Sequence, residues 1–271
     1  VKSILVDATN DEHCDGRLQA AIAVSKAFGS HITCLQLTNF EAYAVGDSVS
    51  GFAPMPEIAE IVAADERKQR SASEAQLADA NVQWTWANGV GQTPEIVIEQ
   101  ARLKDLVILS TRAMRGHVGH SSIAFAGDVA TNARGPAMLI PADLSEFDPI
   151  GTAAIAWNGS IECSHALKMS LPLLKNAKAV HILTVGDEEG LAFPTECAAE
   201  YLGRHGLNAQ IHSAARAEKS IAAALLQAAA SIDAAYMVAG AFGHSRFRES
   251  VLGGVTRELL YESRLPLVLA H

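Results

Sequence analysis

The stretch Tyr236-Met-Val-Ala239, followed by Pro266-Leu-Val-Leu-Ala270, decides how this sequence is read, because it has a counterpart. At a constant offset of 130 residues it lies over Leu106-Val-Ile-Leu109 and Pro136-Ala-Met-Leu-Ile140. Working outward, the same order of signals recurs on both sides. Ser3–Val6 and Ala153–Trp157 are short apolar runs, each followed by a polar turn and an amphipathic segment. In the second copy Ser160 is a candidate N-cap, and Cys163, Leu167, Leu171 and Leu174 recur at helical spacing. Strand-like runs follow at His31–Leu37 and Ala179–Val185. A helix then opens at Thr93-Pro94-Glu95 in one half and near Ser220 in the other, where Ile221, Leu225 and Ala229 share a face.

A duplicated unit of roughly 130 residues accounts for this pattern. The expected fold class is α/β: two tandem copies of a parallel-sheet, Rossmann-like domain, over residues 1–142 and 150–271. Strands that are apolar throughout and alternate with helices belong in a parallel sheet covered on both faces. Pro141–Ile150, with two prolines and three acidic residues, reads as the linker. The first copy also carries an excursion, Asn39–Pro56, before a helical stretch over Glu57–Ala78.

Composition narrows the function. The chain has 271 residues, 49% of them hydrophobic, which is enough to build a core and argues against general disorder. Thirty acidic residues against 21 basic ones give a net charge of −9, a poor basis for binding nucleic acid or an anionic membrane. The four cysteines (Cys14, Cys34, Cys163, Cys197) form no CxxC pair, and a reducing compartment is expected. No secretory signal opens the sequence, and the longest Ala-rich run, Ile221–Ala230, is too short to span a bilayer. A soluble, cytoplasmic protein is expected.

Ligands of open parallel sheets sit beyond the carboxyl ends of the strands, near a reversal of strand order. There the second copy carries Gly240-Ala-Phe-Gly243, nine residues, then Gly253-Gly254-Val255-Thr256 opening a helix over Thr256–Glu262. Glycines so placed let backbone approach a ligand and leave amides free at a helix start, which suits a phosphate. The plain alternative is that they only turn the chain between strand and helix.

This constellation resembles the universal stress protein family, whose nucleotide motif is Gly, two residues, Gly, nine residues, Gly, then Ser or Thr. Gly240, Gly243 and Gly253 match it. Gly254 departs from it by lacking the hydroxyl, and Thr256 is the nearest replacement. Ala156-Trp157-Asn158 resembles the family's first-strand end, with Asn158 where an acidic residue contacts the nucleoside; an amide can still donate and accept. Val185 matches an apolar position that packs on the adenine, and His244 lies within the glycine motif. The resemblance implies a domain of the adenine nucleotide alpha hydrolase-like type with five-stranded sheets and ATP as the bound cofactor, with magnesium as an optional companion. It also implies a pseudo-dimer in which the halves pair through Ala137–Ile140 and Leu267–Ala270, and it is compatible with a further homodimer.

The first half departs from the motif throughout. Ser110, Ala113, Ile123 and Ala124 replace the four glycines, and Thr9 replaces Asn158. This half is expected to have lost ATP binding. Its loop carries Arg112, Arg115, His117 and His120, either a surface loop or a site for another anion.

Other signals are weaker. Lys168-Met-Ser170 lies in a helix without the partners of an adenylate-forming enzyme. There is no P-loop, no dinucleotide fingerprint and no serine-nucleophile elbow. His13-Cys14-Asp15, His205 and His212 lack the spacing of a metal site. No metal site and no catalytic residue is assigned. A nucleotide-binding regulatory protein is the leading reading. A slow ATPase or adenylyl-transfer enzyme using the same pocket, and a nucleotide-independent interaction module, remain the alternatives.

Overall fold

A computed structural model describes residues 1–38, 44–45, 53–54, 56–91, 93–110, 122–144, 146–186, 193–215, 219–241 and 254–271. The first half contains β1 (Ser3–Asp7), α1 (Cys14–Phe28), β2 (His31–Thr38), β3 (Ala44–Val45), β4 (Ala53–Pro54), α2 (Pro56–Asp79), β5 (Gln83–Val90), α3 (Pro94–Gln100), β6 (Leu106–Ser110), α4 (Ser122–Asn132) and β7 (Ala137–Ile140). The second contains β8 (Ala153–Ala156), α5 (Ile161–Leu174), β9 (Val180–Val185), α6 (Thr195–Arg204), β10 (Ala209–Ala214), α7 (Ile221–Ser231), β11 (Tyr236–Gly240), α8 (Gly254–Glu262) and β12 (Leu267–Ala270). The fold class is α/β, with a ten-stranded, mostly parallel sheet and Rossmann-like halves.

The sheet runs β10-β9-β8-β11-β12-β7-β6-β1-β2-β5. Each half therefore repeats one order, third-second-first-fourth-fifth, and all pairs of this sheet within a half are parallel. The exception is the seam, where β12 meets β7 antiparallel with Val268 opposite Met138. β3 and β4 form a separate two-stranded ribbon within the first-half excursion.

Alternation along the strands sorts the core into two layers. Ile4, Val6, Ile155 and Trp157 face a layer formed with Leu18 of α1, Leu77 of α2, Leu167 of α5 and Leu202 of α6. Leu5, Ala154 and Ala156 face the other layer, with Val97 of α3, Phe125 of α4, Leu225 of α7 and Leu259 of α8. Local sequence closes the helices as expected at two starts: the hydroxyls of Ser160 and Ser220 accept from the amides of Cys163 and Ala223. Thr93 has extended backbone but makes no side-chain cap; Pro94 in the first turn sets that helix start instead. The linker is packed, with the Phe147 ring edge-on to Tyr236 at 6.3 Å between centroids. No helix among the described residues is long and apolar enough to cross a membrane.

The seam matters for stability, because β7 and β12 are buried along their whole lengths. Residues 150–271 expressed alone would expose β12 as an apolar sheet edge. That fragment should self-associate in sedimentation experiments; a monomer at high concentration would show that the edge needs no partner.

Candidate functional site

In both halves the strand order reverses between the first and fourth strands, and crevices at such reversals are where these sheets bind ligands. The two reversals lie between β8 and β11 and between β1 and β6. Their registers match: Ala153 pairs with Tyr236 as Ile4 pairs with Leu106. Asn158 therefore corresponds to Thr9, Cys163 to Cys14, Ala166 to Arg17, and Gly240 to Ser110.

In the second half the loop after β8 organises itself. The amide of Ser160 donates to Asn158 Oδ1 at 3.0 Å, and Gly159 adopts φ 72°. Asn158 itself is exposed at the strand end. Ala156 and Trp157 are buried, and half-buried Val185 ends the neighbouring β9. Ala156, Trp157, Asn158, Val185 and Gly240 are thus brought to one edge of the sheet, as are the starts of α5 and α8.

Gly240 has a reason of its own. A Cβ there would stand 2.6 Å from the Cys163 amide nitrogen and 2.7 Å from the Glu162 carbonyl carbon. Its bare backbone admits the first turn of α5, and that close approach is to helix backbone. Gly254 differs: it opens α8, is exposed, and a Cβ there would meet nothing within 4 Å. The helix begins there, two residues before the expected Thr256. Val255 is half-buried against the core layer beneath α8. Thr256 is buried, and its hydroxyl donates to the Gly240 carbonyl at 3.5 Å, the outer limit of a hydrogen bond. Gly243, His244 and Gly253 lie outside the described residues, as do Arg112, Ala113, Arg115, His117 and His120 of the first half, and the Ile123 side chain is likewise not described.

The first-half crevice is filled by its own side chains. Arg17, 1% exposed, donates through Nη1 to Ser110 Oγ at 2.9 Å and through Nη2 to the Thr9 carbonyl at 2.9 Å. Its Nε donates to the Asp7 carbonyl, and Nη1 lies 3.0 Å from Asp11 Oδ1. Burial is the largest influence on this guanidinium and works against its charge, yet Asp7 and Asp11 together outweigh it and raise the pKa. Thr9 is also used internally, donating to Asp7 Oδ1 and accepting from the Leu37 amide. Nothing in the sequence alone marked Arg17; its signal is an arginine on the otherwise apolar face of α1, with two acids just upstream.

The remaining ionisable groups separate into inert and coupled ones. Burial pushes the Cys34 thiol up to about 12 and raises that of Cys14. Among the described residues no group of three or more His, Cys, Asp or Glu side chains could hold a metal ion. His212 does have a partner: its Nε2 lies 2.8 Å from Nδ1 of His181 on the adjacent strand.

Against solved structures the chain aligns along its length. A universal stress protein from Archaeoglobus fulgidus DSM 4304 superposes with a TM-score of 0.74 over 99% of this chain and 97% of that one, at 14% identity. Its fold is that of the universal stress proteins. A putative universal stress protein from Pseudomonas aeruginosa UCBPP-PA14 gives a TM-score of 0.62 over 100% of this chain and 93% of that one, at 13% identity. The cytoplasmic domain of a prokaryotic cation chloride cotransporter gives 0.52 over 99% and 94%, at 12% identity. The universal stress protein fold thus recurs in proteins with different names, and fold alone does not assign function. No protein-family model matches the sequence, and no curated protein matches it.

Two outcomes follow from these contacts. Arg17→Ala would leave Asp7 and Asp11 buried without their cation, and should lower unfolding stability by about 3–5 kcal/mol in urea titrations; a loss near zero would mean the charges are hydrated. The His181–His212 contact needs one ring to donate and the other to accept. Burial, and then His212, lower the His181 pKa below its ordinary 6.5. A depressed pKa contributes stability that is fully present above about 6.5 and is lost as pH falls through the lowered folded value. The urea midpoint should therefore drop between pH 7.5 and 5, less so in His212→Gln; an equal drop in both would remove the pair as its cause.

Proposed function

We propose that this chain is a tandem universal stress protein that binds one adenine nucleotide, in its second half, and acts as a nucleotide-responsive regulator in stress signalling. The observation that carries the reading is the coincidence at the β8–β11 reversal. The exposed Asn158 and the open start of α8 at Gly254 share that edge with Gly240, and the sequence from 240 to 256 carries the glycine spacing. A helix start offers amides without partners inside the helix and the positive end of its dipole, the arrangement that favours phosphate. Asn158 offers donors and acceptors to a base or ribose, and Val185 an apolar surface beside it. Magnesium, if it accompanies ATP, would be held chiefly by the phosphates.

In the first half, the corresponding crevice carries Arg17, Thr9 and Ser110 in mutual hydrogen bonds, and Ser110 and Ala124 stand where the second half has Gly240 and Gly254. One nucleotide per chain is the consequence. Catalysis is not part of the reading, because the motif supplies amides and hydroxyls for binding and no side chain is assigned as the base that would orient a water. Nucleotide binding would instead alter a surface read by a partner. A cytoplasmic location fits the four free thiols.

Calorimetry of the nucleotide-stripped full chain tests this directly. ATP should bind with a stoichiometry of about one. Gly254→Ser restores the hydroxyl of the family motif at a position where a side chain meets nothing, and should tighten ATP by about tenfold while leaving adenosine unchanged. Gly253→Ile, which copies the first half, should remove binding. Two equivalent sites, no binding, or multiple turnovers per minute would each overturn the reading.

A further inference from the structure

A second concave site lies between helices on one face of the sheet and shares Trp157 with the strand end beside Asn158. Between α5 and α6 is a crevice of about 510 Å³. Its floor includes Trp157 and Leu167, which are 5% and 2% exposed. The Trp157 indole N–H already donates to the Phe193 carbonyl at 3.3 Å, so the floor offers ring surface and no free donor. At the mouth, Ile161 and Phe193 stand 71% and 48% exposed, two large apolar side chains that nothing among the described residues covers. Isolated exposed apolar residues are ordinary; two of them rimming an apolar cavity mark a binding surface.

The charges along the crevice run against those of the whole protein. The chain carries −9, but the crevice is lined by two cations, Lys168 and Arg204, and one anion, Glu200. Glu200 is taken up by Arg204 at 2.5 Å. Lys168 forms no ion pair among the described residues. It follows Ile161 by two helical turns, about 10 Å along α5. The crevice therefore combines an apolar trough about 10 Å long with a single uncompensated cation at its far end.

We propose that this crevice binds a small amphipathic monocarboxylate, its apolar body lying on Trp157 and Leu167 and its carboxylate meeting Lys168. The driving force is removal of ring and aliphatic surface from water, and the ammonium selects an acid over a neutral analogue. An indole face accepts flat or straight-chain bodies alike, so the class is defined by length and charge. The site adjoins the proposed nucleotide crevice at Trp157, but its cation Lys168 and its thiol Cys197 belong to it alone, so its test does not depend on that reading.

Cys197 lines the crevice and is half-exposed, whereas Cys14, Cys34 and Cys163 are buried, so the full chain carries its own reporter. The probes are decanoate and 1-decanol, used below the concentrations at which they aggregate. Decanoate should bind saturably and protect Cys197 from a thiol-reactive disulfide reagent, with 1-decanol weaker. Lys168→Glu, on the exposed face of α5, should weaken decanoate by about tenfold or more and leave 1-decanol nearly unchanged. Cys197→Trp should fill the trough and abolish binding. The proposal is overturned by the absence of saturable binding, by binding without protection of Cys197, or by undiminished decanoate affinity in Lys168→Glu.

Discussion

Two fully buried strands, β7 and β12, each end a half of this protein, and neither can leave its outer hydrogen-bonding edge in water beside an apolar face. Their antiparallel pairing, Leu139 to Leu267 and Ala137 to Leu269, removes both edges at once. It converts two five-stranded sheets into one sheet of ten and relates the halves by an approximate two-fold arrangement. It also places both strand-order reversals on carboxyl edges that point in opposite senses, so each crevice is built wholly from its own half. Duplication followed by divergence of one crevice is then free of cost to the other.

The two crevices show how the same backbone plan takes different contents. In the second half small residues face one another: Gly240 abuts the backbone of α5, and Ala166 sits one turn inside. In the first half the matching pair is Ser110 and Arg17, hydrogen-bonded to each other. A side chain at 110 and a long cation at 17 belong together, as do their absences at 240 and 166. Burying Arg17 is tolerable only because Asp7, Asp11 and two carbonyl oxygens surround it, which turns the crevice into a closed internal network.

Much of this was legible before any coordinates. The inner strands are continuous apolar runs, and their repetition at a fixed offset carried both the α/β class and the tandem plan. Ser160 and Ser220 announced their helices because capping is local chemistry. The outer strands β5 and β10 were harder, since edge strands expose alternate residues: Trp84 and Trp86 are half-buried while Gln83 and Thr85 are exposed. That period of two was present but short. α6 was harder still, a ten-residue helix with few buried side chains. Gly240 could be placed at the strand end, but the α5 backbone that demands it is nearly eighty residues away and invisible to pattern. Arg17 was missed in part for the same reason: Asp7, Thr9 and Asp11 are local, but its fourth partner, Ser110, is 93 residues away.

The central claim is that the β8–β11 crevice holds a nucleotide and the β1–β6 crevice does not. Amide hydrogen exchange of the full chain, with and without saturating ATP, tests it without any substitution. The account predicts slowed exchange at residues 156–160 and 254–256, and no change at residues 7–11 and 108–110. Slowing at the first-half crevice, or at neither, would contradict it.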